Sequence, residues 1–310
     1  MPFATDGLPR TAPPVGQPVA MGQELRLVLA PNASPMTHWG TNTWLLGRGA
    51  VTVIDPGPAD SRHLAALLAA LEPGETVTQI LVTHGHLDHS PAARPLAQAT
   101  GAPVLAFGDA RAGRSRRMAG LSAQDIGGGE GVDANFAPDR TLADDAVIEA
   151  AGRPLRALHT PGHLGNHMCF QWGEALFSGD HVMGWAPSLV SPPDGDLTDF
   201  MASLRRLQRL GPVVLFPGHG APVAAGQARL SELHAHRMRR ESAIRTAIAH
   251  GAETVPAITR AAYLDVDPAL LPAAERNVLA HLIDLEARGK VAFDGALSLR
   301  ARIRAPEPEA

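Results

Sequence analysis

Short apolar runs separated by turn-forming residues fill the first two-thirds of the chain and predict strands punctuated by helices. Residues 25–29, 43–46 and 51–54 read as strands. Asp55, Pro56 and Gly57 then lead into an alanine- and leucine-rich helix over about residues 60–71, with Asp60 or Ser61 as its cap. A continuous apolar run over 79–82 predicts a buried strand, followed by a helix after His89 and a further strand at 103–107. Later apolar runs cover 154–158, 167–172, 175–177 and 213–216, with a helix over 200–204. Between 108 and 145 the pattern lapses. Arg111, Arg114, Arg116 and Arg117 cluster ahead of Gly127, Gly128 and Gly129, which reads as a mobile surface insertion. It serves either as a basic flap over an anionic substrate or as a solvated helix end and loop.

From about residue 225 the pattern turns helical. A long helix covers 227–249 and carries Arg237, Arg239, Arg240 and Arg245; a shorter one starts at 254–256, and a third runs from about 272 to 288. Residues 289–293 begin a hairpin with 297–303. Three helices and a two-stranded hairpin make a winged-helix shape, which suggests nucleic acid without establishing it. In many enzymes such a domain covers the site or pairs subunits, so a homo-oligomer is among the expectations.

At 310 residues, 45% hydrophobic and 19% charged, the chain is globular and long enough for more than one domain. Its formal charge of -4 offers no global attraction to nucleic acid or membrane. Residues 1–17 are rich in Pro, Thr and Gly, lack the apolar core of a signal peptide, and read as part of a flexible arm over 1–20. No apolar stretch approaches the length that spans a bilayer, so a cytoplasmic protein without a membrane role is expected. The single cysteine, Cys169, excludes an internal disulfide framework and reads as a buried structural thiol.

The chemistry concentrates in Thr83-His84-Gly85-His86-Leu87-Asp88-His89, directly after the 79–82 run. Three imidazoles and a carboxylate leave the strand together, and such groups suit Zn²⁺ and similar divalent ions. His84 and His86, two apart in extended chain, point to one side, while Asp88 and His89 fall on the next turn. One loop can therefore serve two metals. This string resembles the signature of the metallo-β-lactamase fold superfamily, whose pattern is completed by a later His, a bridging acid and a final His, each at a strand end. His159-Thr160-Pro161-Gly162-His163, Ser178-Gly179-Asp180 and Pro217-Gly218-His219-Gly220 each follow an apolar run in that order. Singly each is a turn; together they match the pattern.

The resemblance implies His84, His86 and His163 on one metal, Asp88, His89 and His219 on a second, and Asp180 bridging them. Two divalent ions are expected, zinc first, with manganese or iron as alternatives. Dications about 3.5 to 4 Å apart need an anionic bridge, and a water shared between them ionises near neutral pH, as zinc-bound water with a pKa of about 7 does. The resulting hydroxide would attack an ester, thioester, lactone or phosphodiester, with Asp88 and His167 as catalytic side chains. His167, four after His163, either meets substrate and donates a proton to the leaving group or hydrogen-bonds a carboxylate behind the metals. His181 is expected in the wall of the site, and Asp55 either orients a ligating His or marks a turn.

The implied fold is α/β: a four-layer αβ/βα sandwich over residues 21–225, interrupted by the 108–145 insertion, with the site along one edge of its two sheets. A winged-helix-like domain over 226–305 follows. That tail, with Pro193-Asp194-Gly195-Asp196, the helix from Phe200 and His236-Arg237, is most similar to the β-lactamase-like protein 2 group, which is associated with single-stranded RNA cleavage. The substrate is thus expected to be a small-molecule ester or thioester, or single-stranded RNA. A hydroxyacylglutathione hydrolase-like thioesterase shares all the ligand motifs. A persulfide dioxygenase shares the His string but uses one iron and an oxygen molecule. An antibiotic-degrading β-lactamase commonly has Cys where Asp180 stands. From another class, a nucleic-acid-binding module would use the metals structurally, although structural zinc sites are normally closed and four-coordinate.

Overall fold

The apolar runs of the first two-thirds become two mixed sheets laid face to face. The computed structural model describes residues 8–121, 126–264 and 266–305; expectations falling on 1–7, 122–125, 265 and 306–310 lie outside the described residues. The first sheet runs, in order, β1 (Pro18–Ala20), β2 (Leu25–Leu29), β3 (Asn42–Leu46), β4 (Ala50–Ile54), β5 (Thr76–Leu81), β6 (Val104–Ala106) and β7 (Arg140–Thr141). Its first four strands are antiparallel and the rest add in parallel. Parallel neighbours need crossovers. These are α1 (Ser61–Ala69), capped by the Asp60 side chain on the Arg62 N–H, and α2 (Ala93–Thr100), which ends on a left-handed Gly101. The insertion carries α3 (Arg116–Leu121).

The second sheet places β8 (Val147–Ala150), β9 (Arg153–His159), β10 (Met168–Trp172), β11 (Ala175–Gly179) and β12 (Val214–Pro217) side by side. Only the β11 and β12 pair is parallel, and α4 (Leu197–Gln208) lies in the crossover between them. Leu27, Trp44 and Ile54 from the first sheet meet Phe170, Phe177 and Phe216 from the second in one core, with the Trp44 ring edge-on to Phe216 at 5.1 Å. Burial of each such side chain contributes about 1.5–3 kcal/mol. Leu67 and Leu96 of α1 and α2 cover the outer face of the first sheet, and Leu204 of α4 covers that of the second. Helices outside two facing sheets make the αβ/βα sandwich.

The remainder folds into α5 (Gly226–Ala249), α6 (Val255–Ala262), α7 (Leu271–Ala287) and the hairpin β13 (Ala292–Asp294) with β14 (Arg302–Arg304). Ile244, Ile258, Leu282 and Ile303 share a core of their own. Leu230 and Leu233, near the start of α5, instead pack on the second sheet, so one helix is common to both cores. Among the described residues, no helix is long and apolar enough to cross a membrane.

Two expectations are corrected. Residues 18–20 are not a free arm, because they form an edge strand on β2, and the Gly16 N–H donates to the Leu29 carbonyl just before them. The open backbone row of β2 provides those partners. Nor is the insertion merely a solvated surface segment: Met118, Leu121 and Ile126 are buried in the terminal core. Arg114 pairs with Asp194 and Arg117 with Glu286, so these arginines tie the segment down rather than wave over a substrate.

Candidate metal centre

Four strand ends deliver polar side chains to one edge of the sandwich. The 83–89 loop follows β5, His163 follows β9, Asp180 follows β11 and His219 follows β12. His84 Nε2 and His163 Nε2 stand 2.8 and 3.1 Å from His86 Nδ1. These three rings form one group. Asp88, His89, Asp180 and His219 form another, and within each group the ligand atoms lie within 4.8 Å of one another. Asp180 faces both: its Oδ2 is 3.7 Å from His163 Nε2 and 3.3 Å from His219 Nε2, and its Oδ1 is 3.5 Å from His89 Nε2. Asp88 Oδ2 lies 3.1 Å from His219 Nε2 and 3.5 Å from His89 Nε2.

The outward nitrogens set the tautomers. His163 Nδ1 donates to the Leu189 carbonyl at 2.8 Å, His219 Nδ1 to the Gly40 carbonyl at 3.0 Å, and His89 Nδ1 to Asp55 Oδ2 at 2.9 Å. Thr83 Oγ1 gives its one proton to Asp55, so at 2.9 Å it accepts from His84 Nδ1. Each of these four rings therefore turns its Nε2 inward. Ring nitrogens facing one another at 2.8 to 3.3 Å repel unless a proton or cation lies among them. Asp180 Oδ1 is also buried without a hydrogen-bond partner. The arrangement fits bound divalent metal, with ring nitrogen and carboxylate oxygen as donors and acceptors behind the rings.

Electrostatics divide the two groups. Burial, then the neighbouring rings, holds His84 well below its ordinary pKa, and burial followed by His163 takes His86 to about 3. Burial also lowers His163. In the second group burial again opposes ring protonation, but Asp88, Asp180 and Asp55 lift His89 above its usual value, and Asp180 with Asp88 lifts His219 to about 9. Burial would raise both carboxyls, yet His89 and His219 hold Asp88 low and Asp180 well below its usual range. The rings of the first group are thus neutral, while in the second the charges of Asp88 and Asp180 draw protons onto His89 and His219, protons that a bound cation would displace.

Close backbone approach makes this geometry possible. A Cβ on Gly218 would stand 2.6 Å from His89 Cε1 and nearer still to Asp180 Oδ1. Asn42, a polar residue inside an apolar strand, donates to the Pro217 and Gly220 carbonyls at 3.0 and 2.8 Å and holds the His219 loop. That polarity was the available signal for a residue the sequence reading passed over. The Leu189 and Gly40 carbonyls carried no signal, since every residue has one.

The structure does not support a proton-donor role for His167. Its ring is 0% exposed, 5.0 Å from His84 by centroids, with Thr160 Oγ1 on Nδ1 and no partner on Nε2. Nor does it bond a carboxylate. His181 is likewise buried, over the Phe200 ring. Cys169 is fully buried, with Thr160 Oγ1 donating to its sulfur. A cleft of about 340 Å³ opens beside the first group, lined by His86, His163 and Leu189 and by Ala273, Glu275 and Arg276 of α7.

A family model described as the metallo-beta-lactamase superfamily matches residues 36–219, more than half of the chain. The chain belongs to the metallo-beta-lactamase superfamily. A second model, the beta-lactamase associated winged helix domain, matches residues 254–299, within the terminal helices and hairpin. The chain is similar to the beta-lactamase-like protein 2 homolog of Drosophila melanogaster, 31% identical over 271 residues covering 85% of this chain and 88% of that one. It is also similar to an atrochrysone carboxyl ACP thioesterase of Aspergillus fumigatus, 32% identical over 249 residues covering 77% and 69%. A beta-lactamase domain protein from Burkholderia ambifaria superposes with a TM-score of 0.79 at 23% identity, covering 98% of this chain and 96% of that one, a likeness of fold. In this metallo-beta-lactamase superfamily chain, the edge cluster of seven side chains is the candidate active site.

Proposed function

We propose that the chain is a binuclear metal-dependent hydrolase that cleaves thioesters of carboxylic acids. The observation that carries this reading is Asp180, a buried carboxylate set between two groups of inward-facing ring nitrogens. His84, His86 and His163 would hold one ion, Asp88, His89 and His219 the other, and Asp180 would touch both. Zinc suits these donors, with manganese or iron as alternatives. When bound, such a pair supplies a nucleophilic water at neutral pH and polarises the carbonyl under attack.

The chain's own groups do the rest. Asp88 is the more open of the two carboxylates, its side chain 27% exposed against 10% for Asp180, and so is placed to take up the proton released from the attacking water. A thiolate, with a conjugate-acid pKa of about 8.5, leaves without a strong proton donor, and no buried His167 is needed for it. The cleft favours an acyl group over a polyanion. Arg276 commits its donors to Ser191 Oγ and to the Ile126 and Pro192 carbonyls, while Glu130 and Glu275 line the cleft. An RNA backbone calls for free cations there. The likeness to a carboxyl ACP thioesterase supports the same substrate class. We place the protein in the cytoplasm, where its one thiol stays reduced.

The test is a panel assay of zinc- and manganese-loaded protein against thioesters, lactones, a cephalosporin, phosphodiesters and single-stranded RNA, with Asp180→Ala as control. Thioester hydrolysis that disappears in the variant and on chelation is the expected result. RNA cleavage that falls as salt rises, with thioesters untouched, would replace the substrate class. One iron per chain with oxygen consumption would reject the hydrolase.

A further inference from the structure

A second pocket, of about 360 Å³, lies where the 183–189 segment meets α5 and α7. Its walls are largely apolar, and Met36, Trp185 and Leu270 on its lining are more than a third exposed, unusual for such large side chains. The charged residues on its lining, Arg237 and Arg240, are both cationic. Arg237 is 2% exposed and donates to Asn277 Oδ1 at 3.1 Å and to the Ser188 carbonyl, with its guanidinium over the Phe200 ring. Its Nε is buried with no partner. Arg240 lies over the Tyr263 ring at 3.6 Å and donates to the Ala262 carbonyl, and its Nε is also buried without a partner. His236 Nδ1, on the same lining, is a third such atom. Among the described residues no carboxylate forms an ion pair with Arg237 or Arg240, whereas Arg288, just past the end of α7, pairs with both Glu241 and Asp284.

A guanidinium taken out of water without a counter-charge is unfavourable, and an anion with two coplanar oxygens answers it best. We infer that this pocket binds a small organic carboxylate with an apolar body, its head against Arg237 and Arg240 and its body against Met36, Trp185 and Leu270. Leu189 and Ala273 line both this pocket and the cleft beside His86 and His163, so the two sites are neighbours sharing a wall. Binding here needs no metal and does not depend on which bond the cleft breaks.

Calorimetric titration of the full chain, zinc-loaded and chelator-treated, with octanoate, octanamide and octyl phosphate tests this. Octanoate is expected to bind once per chain, about ten-fold or more tighter than octanamide, and equally in both metal states. Arg240→Met should remove that preference. So should Met36→Glu, a change on a half-exposed residue that places a repelling charge in the same pocket without disturbing a buried arginine. Equal affinity for acid and amide, loss of octanoate binding on chelation, or octanoate affinity unchanged in both variants would overturn the proposal, as would octyl phosphate binding more tightly than octanoate.

Discussion

Asp55 and His89 are joined by a 2.9 Å hydrogen bond from the ring Nδ1 to the carboxylate Oδ2. The same carboxylate accepts the Thr83 N–H at 2.7 Å and the Thr83 hydroxyl at 2.8 Å, so one side chain orients both His89 and, through Thr83, His84. It does so from a backbone held at φ 52°, a conformation costing about 1–3 kcal/mol away from glycine. Asp55→Asn should weaken retention of metal by the Asp88, His89 and His219 group about 10- to 100-fold. Competition against a chromogenic chelator measures this, and wild-type affinity in the variant would mean that Asp55 only shapes the turn.

Asp180 is a carboxylate within 3.7 Å of ring nitrogens from both groups. Asp180→Asn keeps its shape but removes the charge that His89 and His219 surround. Metal content should fall from two ions toward one per chain, and hydrolysis by at least about a hundred-fold. Elemental analysis and turnover on the same preparation check both halves. Full activity with two ions retained would assign the bridge elsewhere.

The centre was legible in the sequence because it requires scarce residue types at strand ends. His84, His86, Asp88 and His89 leave β5 within one loop, and His163, Asp180 and His219 each follow their own apolar run. What stayed hidden depends on partners remote in sequence. The carbonyls of Leu189 and Gly40 behave as ring acceptors only because the chain returns to His163 and His219. Met118 and Leu121 follow a run of arginines and Ile126 precedes three glycines, without a clear period, and they find a core only because the terminal helices and hairpin lie beside them. The position of His167 four after His163 left open whether it meets substrate or lies behind the metals, because its depth behind His84 is a property of packing.

Cys169 tests the packing of β10. Burial pushes its thiol up to about 12, only partly offset by the Thr160 hydroxyl. The thiolate is the reactive form, so the native protein should resist iodoacetamide at pH 8, while the chain in urea takes up one equivalent. Mass spectrometry counts the adduct. Native labelling at the rate of a free thiol would show that the strand opens readily.

His281 makes the fold acid-sensitive in a direction that can be worked out. It is 1% exposed, neither ring nitrogen has a partner, and burial, followed by the charges of Arg237 and Arg240, lowers its pKa to about 3. In the unfolded chain it titrates near 6.5, so between those values the unfolded state binds the extra proton. Stability is complete above about pH 6.5 and is lost progressively as pH falls toward 3, by about 2 kcal/mol at pH 5. His281→Leu removes both that proton and two unpartnered nitrogens, and should stabilise the fold by about 1–3 kcal/mol at neutral pH. The gain should widen under acid. Urea unfolding of both proteins at pH 7.5 and pH 5.0 measures the two differences, and a gap of equal size at both would mean that His281 accepts its proton inside the fold.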